Sequence, residues 1–243
     1  MMEQENNTCS RSDIKQLLDH QLQNIINVQH GLQHQLYQQI EACISIYSML
    51  DLQRPLPPMR GWAASPDFLA LLLGEIIDRK PGLVCELGSG TSTIITGYAL
   101  QKQNKGKLVS IDHEQEYLEK TARQIQLHGL DDYIELIHAP LTDCEINGSH
   151  WKWYDLEQIN LPEGIEILVI DGPPGGIQPR SRYPALPLLM DHLAGDAVVF
   201  LDDAARPDEK AIVSDWLQAF PEFCHESVNC EKGAAVLHRS GLR

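Results

Sequence analysis

The sequence predicts a doubly wound α/β fold: a seven-stranded, mostly parallel sheet with helices on both faces, preceded by a long helix. Three observations carry this. From Ser65 onward, short apolar runs alternate with amphipathic segments, and such alternation builds a parallel sheet. The last stretch, CHESVNCEKGAAVLHRS, reads as two strands about a tight turn at 231–233, which adds one antiparallel strand. Before the alternation, residues 11–53 hold one glycine and no proline, as a continuous helix would.

The elements follow in order. In the leading helix, Leu18, Ile25, Leu32, Gln39 and Ile46 form one heptad row, and Leu22, Gln29, Leu36, Cys43 and Leu50 the other. Residues 1–53 therefore read as a helix able to form a coiled coil, pairing copies of the chain through residues 14–50. The same stripe also suits a helix packed on the protein's own core. RPLPPMRGW breaks the helix, and residues 54–64 form a linker. The α/β domain is 65–243. SPDFLALLLGEIIDRK opens it with a serine at the cap position and proline at the first helical position. GLVCELGSG is strand and turn, TSTIITGYALQK helix, KLVSIDHE strand, 114–128 helix and YIELIHAPL strand. EILVIDGPP, the helical YPALPLLMDHL, DAVVFLDDA and helix 208–219 complete the alternation.

Composition bounds the function. The chain of 243 residues carries a net charge of −15, which disfavours binding to nucleic acid or to an anionic membrane. No window approaches the roughly 20 apolar residues of a membrane span. The opening MMEQENN lacks a basic region and an apolar stretch, so no signal peptide is expected. None of the six cysteines forms a C-x-x-C pair, so a reducing cytoplasm is the expected compartment.

Ligands of open α/β sheets bind beyond the carboxyl ends of the strands. The first strand ends in Glu86-Leu87-Gly88-Ser89-Gly90-Thr91-Ser92, where glycines permit a tight turn and close backbone approach. The second ends at Asp112, twenty-two residues after Gly90, the spacing at which an acidic side chain meets ribose hydroxyls. His113 follows, and its plain reading is a surface histidine. After the third strand, Ala139 is small enough to lie against a flat base, or simply to belong to a loop. The fourth strand ends at Asp171 and the fifth at Asp202-Asp203. Three acids at neighbouring strand ends repel one another, and a divalent cation such as Mg²⁺ would relieve them. Arg180, Arg182 and Tyr183 follow the fourth strand as candidate acceptor contacts. Trp151, Trp153 and Tyr154 are candidates for stacking on a sugar or aromatic ring.

Taken together, VCELGSGTST, VSIDHE, IHAPL, ILVIDGPPG and VVFLDDA resemble the successive motifs of class I S-adenosylmethionine-dependent methyltransferases, in particular the branch labelled methyltransferase domain 24. The resemblance covers about residues 60–240 and implies a Rossmann-like methyltransferase fold. It implies that Glu86, Gly88, Ser89, Gly90 and Ser92 hold the methionine part of S-adenosyl-L-methionine. Asp112 falls to the ribose, and His113 and Ala139 to the adenine side. Asp171 would stand beside the reacting centre. Related O-methyltransferases bind Mg²⁺ through acids at the positions of Asp171, Asp202 and Asp203. The chain departs from the pattern at Ser92, where the donor loop carries a glycine. It departs again at Gly172-Pro173-Pro174, where catechol-type enzymes carry a lysine. Asp171 or Asp203 is then the candidate base. The expected reaction is methyl transfer to a hydroxyl of a sugar, glycan or other small molecule. A nicotinamide-dependent oxidoreductase is the first rival, although Thr93 replaces the sixth-position glycine of its loop. A noncatalytic assembly module built on the helix is the second.

Overall fold

The computed structural model describes residues 11–157, 159 and 161–240. The long helix α1 spans Arg11–Met49, and α2 spans Pro66–Arg79. The alternation follows as β1 (Leu83–Leu87), α3 (Thr91–Gln103), β2 (Lys107–Asp112), α4 (Gln115–His128) and β3 (Ile134–His138). A hairpin that sequence reading did not resolve comes next, β4 (Leu141–Ile146) and β5 (Ser149–Tyr154). Then come β6 (Ile165–Ile170), the short α5 (Ala185–Leu189), β7 (Leu193–Asp202), α6 (Pro207–Ala219), β8 (Phe223–Val228) and β9 (Ala234–Arg239). Seven strands make one sheet in the order β3-β2-β1-β6-β7-β9-β8. All pairs are parallel except those made by β9, which runs antiparallel to both β7 and β8.

The central strands read as unbroken apolar runs because both faces of the sheet are covered. Successive side chains of a strand point to opposite faces, and the core divides accordingly. Val84, Ile167, Val169, Val198 and Phe200 pack with α2, α3 and α4. Cys85, Leu168, Ile170, Val199 and Leu201 pack with α5, α6 and the hairpin's Trp153. Burial pushes the Cys85 thiol up to about 12, which makes it an inert packing residue.

Helix α1 divides at Gln39. The Gln39 amide donates to Oδ2 of Asp67 at 2.8 Å and accepts the Asp67 N–H at 3.2 Å. Beyond it, Ile46 and Leu50 are buried in the core that holds α2. Before it, Leu18, Leu22, Ile25, Leu32 and Leu36 are exposed. A glutamine that interrupts the heptad row is thus the clamp by which the helix docks.

Asp67 gathers several segments at once. Its Oδ1 accepts the Ser65 hydroxyl at 2.6 Å and the Phe68 N–H at 2.9 Å, and its Oδ2 also accepts the Glu231 N–H at 2.7 Å. Ser65 occupies the cap position of α2 as expected, but its hydroxyl binds this carboxylate and makes no cap bond of its own. Losing a charged acceptor of this kind costs about 1.5–3 kcal/mol. Asp67→Ala is therefore expected to lower Tm by roughly 3–12 °C for a protein of this size, read by calorimetric or CD melting.

Candidate functional site

Strand order reverses between β1 and β6, which are neighbours in the sheet but distant in sequence. Crevices at such points are where open α/β sheets bind ligands. A cavity of about 360 Å³ lies there, lined by residues that include Gly88–Ser92, Asp112, His113 and Asp171. This volume falls within the roughly 300–1,000 Å³ of small-molecule sites.

The floor of the cavity is two crossing backbones. Gly88 N donates to Ile111 O at 2.8 Å, and Asp171 N donates to Leu87 O at 2.9 Å, so the loops after β1 and β6 leave side by side. Gly88 has φ +97°, and a Cβ there would stand 3.1 Å from Gly172 N. A Cβ on Gly172 would come within 2.3 Å of the Tyr154 hydroxyl. Only glycine fits either place.

Around this floor, hydrogen bonds fix the acids. Oδ2 of Asp112 accepts the Ser89 N–H at 2.8 Å and the Ser89 hydroxyl at 2.9 Å, while Oδ1 accepts the Glu114 N–H at 3.0 Å. Burial pushes the Asp112 carboxyl up, but the neighbouring His113 imidazole and the bonds from Glu114 and Ser89 outweigh that and hold it below its usual range. A carboxylate has about four acceptor sites, so Asp112 keeps capacity for a ligand hydroxyl. Glu86 is buried beneath the loop. Its Oε2 accepts the Thr93 hydroxyl at 2.5 Å and the Ser110 hydroxyl at 2.7 Å, while its Oε1 has no partner among the described residues. Thr93 Oγ1 in turn accepts the Gly90 N–H at 2.8 Å, tying the loop to Glu86. Burial holds the Glu86 carboxyl above its usual range, only partly offset by Ser110, Ser92 and Thr93.

The acids after β6 and β7 also meet: oxygens of Asp171, Asp202 and Asp203 lie within 4.8 Å of one another. Burial, and then the charge of Asp202, raise Asp171 well above its usual range. Burial, and then Asp203, raise Asp202 to about 6. Among them sits Arg182, whose Nη2 reaches Asp171 Oδ1 at 3.1 Å and Asp203 Oδ2 at 2.9 Å. By donor type the acids fit a hard cation, but the guanidinium already stands at their centre.

The residues singled out from sequence separate accordingly. Gly88, Ser89, Gly90, Ser92, Asp112, His113 and Asp171 line the cavity; Glu86, Ala139, Asp202 and Asp203 do not. His113 is no surface histidine: its side chain is 14% exposed, with Nδ1 3.5 Å from Asp112 Oδ1. Ala139 is buried in the core beside Ile111, its N–H donating to Asp112 O at 2.9 Å. Arg182 is buried in the acidic centre and does not face an acceptor. Arg180 is taken up by Asp215 at 2.5 Å. Trp151 stacks on Tyr183, with ring centroids 4.9 Å apart. Tyr154 does reach the cavity, with a buried hydroxyl that has no partner. Sequence reading missed Trp62 at the cavity mouth, where it is 76% exposed. It lies in a linker without periodicity, and Lys232 holds that linker by bonds to Gly61 O at 3.2 Å and Ala63 O at 2.8 Å.

Residues 85–204 match the family model of a methyltransferase domain. No curated protein matches the sequence. Among solved structures, the chain resembles an SAH-bound methyltransferase of Podospora anserina, with 14% identity, TM-score 0.58 and coverage of 82% of this chain and 86% of that one. An O-methyltransferase of Bacillus cereus in complex with SAH shares 15% identity, TM-score 0.57, over 84% and 90% of the two chains. The O-methyltransferase TomG of Streptomyces achromogenes, involved in tomaymycin synthesis and solved with SAM, shares 16% identity, TM-score 0.54, over 84% and 90%.

Gly88→Ala forces a side chain into the left-handed region and against Gly172, at a cost of about 1–3 kcal/mol. The expected result is a lower urea midpoint with an unchanged slope. Ser89→Ala keeps the N–H bond to Asp112 and is expected to lower the midpoint less.

Proposed function

We propose that this chain, which belongs by fold and by family match to the class I S-adenosylmethionine-dependent methyltransferases, methylates a hydroxyl of a small-molecule, sugar or glycan acceptor. One observation carries the reading: the glycine floor, a pinned Asp112 and the carboxyl of Asp171 converge on a single cavity.

The residues present fit the donor. Gly88 and Gly90 line the cavity without side chains, and the space beside Gly90 is open, which admits close approach to the backbone. The N-terminus of α3 offers N–H groups to a carboxylate. The unpaired Oε1 of Glu86 lies under the same loop as a partner for positive charge. Asp112 takes the ribose hydroxyls. His113 and Tyr117 line the wall beyond it, as a base-binding face would. Ala139 supports Asp112 from behind through its N–H.

When bound, S-adenosylmethionine supplies a methyl group on a positively charged sulfur. The chain's own part would be to hold the acceptor hydroxyl against that methyl group, with Asp171 as the carboxyl that would take the hydroxyl proton. Burial and the charge of Asp202 raise this carboxyl above its usual range, and a general base gains strength as its affinity for the proton rises. Asp203 is less suited to this role, because its Oδ2 is shared between Arg182 and Arg206 at 2.9 Å each and it stands outside the cavity. The protein's larger contribution is alignment of oxygen, carbon and sulfur. Trp62 and Pro174 at the mouth offer flat surfaces to a ring-bearing acceptor. A divalent cation at Asp171, Asp202 and Asp203 would have to displace Arg182.

The exposed half of α1 fits a second copy of the chain. Leu18, Leu22, Ile25, Leu32 and Leu36 repeat at heptad spacing, and two such stripes bury each other in a coiled coil. The full-length protein is expected to be a homo-oligomer that Ile25→Glu with Leu32→Glu dissociates, measured by sedimentation velocity.

Calorimetry with S-adenosylhomocysteine tests the central reading. Saturable binding is expected for the intact protein and none for NADH. Asp112→Ala is expected to weaken the binding roughly tenfold to hundredfold, the equivalent of a charge-assisted hydrogen bond. No binding by well-folded protein removes the proposal.

The pH dependence has a definite sign. Free Glu86 keeps its proton to higher pH than usual, whereas a positive ligand group favours the carboxylate. Binding therefore releases a proton, and donor affinity falls as pH drops through the raised Glu86 range. Titrations in buffers of different ionisation enthalpy are expected to report the release, and Glu86→Gln to abolish it.

A further inference from the structure

We infer that Arg182 is the resident cation of the acidic centre, in the place a divalent metal would take, and that it positions the Asp171 carboxyl at the cavity. The Arg182 side chain is 3% exposed. Its Nη2 donates to the main-chain O of Asp171 at 2.7 Å, to Oδ1 of the same residue at 3.1 Å and to Oδ2 of Asp203 at 2.9 Å. Its Nη1 donates to the main-chain O of Asp202 at 2.8 Å and faces Glu209 Oε1 at 3.9 Å. One planar group therefore joins the ends of β6 and β7 and the first turn of α6. A guanidinium suits this task because its donors are fixed in a plane; an ammonium is a point charge on a flexible stem.

The loop carrying Arg182 is itself held on several sides. Ser181 Oγ donates to Pro173 O at 3.1 Å, Arg180 N donates to Asp208 Oδ2 at 2.9 Å, and Trp216 Nε1 donates to Tyr183 O at 2.9 Å. A cation bound by Asp171 and Asp203 would share both carboxylates with Nη2, placing two positive centres against each other out of water. Metal and guanidinium are therefore alternatives. Among the described residues, Oδ2 of Asp202 and Oδ1 of Asp203 are buried without partners, and a metal in the wild-type protein would land on these atoms.

The grip on Asp171 has a second consequence. Nη2 holds both the main chain and one carboxyl oxygen of this residue, which fixes its orientation while the side chain remains 18% exposed at the cavity. Arg182 is then a positioning residue for the base, a role that rests on the proposed methyl transfer.

The experiment is a Mn²⁺ titration of the full-length protein after exhaustive EDTA treatment, followed by calorimetry and by electron paramagnetic resonance, with no donor present. Wild-type protein is expected to show no saturable site through the low millimolar range. Arg182→Ala, which leaves the acids without their cation, is expected to gain one Mn²⁺ site, and Asp203→Asn added to it to remove that site. A stoichiometric Mn²⁺ site in wild-type protein that Asp203→Asn abolishes overturns the inference. So does an Arg182→Ala protein with a cooperative melt that takes up no metal. Should Arg182→Ala fail to fold, the wild-type titration decides alone. Positioning is read once a hydroxyl acceptor is in hand: Arg182→Lys is expected to lower kcat at least tenfold with the donor KM unchanged, and equal loss in both overturns that part. Metal uptake is measured without donor, so its outcome is separate from any failure of donor binding.

Discussion

The site depends on two strand ends lying side by side. β1 and β6 are far apart in sequence but adjacent in the sheet, with Leu87 paired to Ile170. Both chains must then turn away in the same small space. The turn is passable only because Gly88 and Gly172 meet there, the one against the other's backbone and the second also against the Tyr154 hydroxyl. The same crossing leaves the backbone of the first loop bare and sets Asp171 beside it. The cavity floor and the carboxyl beside it are consequences of one packing contact.

Charge is handled differently on the two sides of that floor. Toward β2, Asp112 is surrounded by donors and kept ionised, ready to accept from a ligand. Toward β7, carboxylates crowd together, and burial and mutual repulsion raise Asp171 and Asp202. A polar, hydrogen-bonded acid is held ionised; a crowded, buried acid is shifted toward its neutral form. The environments split apparently equivalent residues into these two states. Arg182 keeps the crowded side from flying apart, because a buried group of like charges persists only where a counter-charge is built in.

The leading helix joins the body by a polar contact and not by its apolar stripe alone. Gln39 binds both the carboxylate and the N–H of Asp67, and Asp67 also receives the turn before β9. That turn carries Lys232, which fixes the linker bearing Trp62 at the cavity mouth. A continuous chain of hydrogen bonds thus runs from the helix to the entrance of the site. Beyond Gln39, Ala42, Ile46 and Leu50 are buried, while Leu18, Leu22, Ile25, Leu32 and Leu36 before it face solvent.

The sequence by itself determined the order of the seven sheet strands and their covering helices, though not the β4–β5 hairpin, since both depend on local periodicity: buried strands are unbroken apolar runs and covering helices are amphipathic. It also determined which residues stand at the carboxyl ends, and so brought the Gly88–Ser92 loop, Asp112 and Asp171 to one crevice. It showed three acids together without showing what neutralises them. Only the tertiary structure decided that, because Arg182 lies in a loop without periodicity and reaches its partners across two strands and a helix. His113 was likewise settled by packing, turned inward beside Asp112, and the linker segment that brings Trp62 to the cavity is held by Lys232 from the far end of the chain. Local pattern specifies which element a residue occupies; the direction in which a loop side chain points is fixed by contacts between residues distant in sequence, and those appear only when the sheet is assembled.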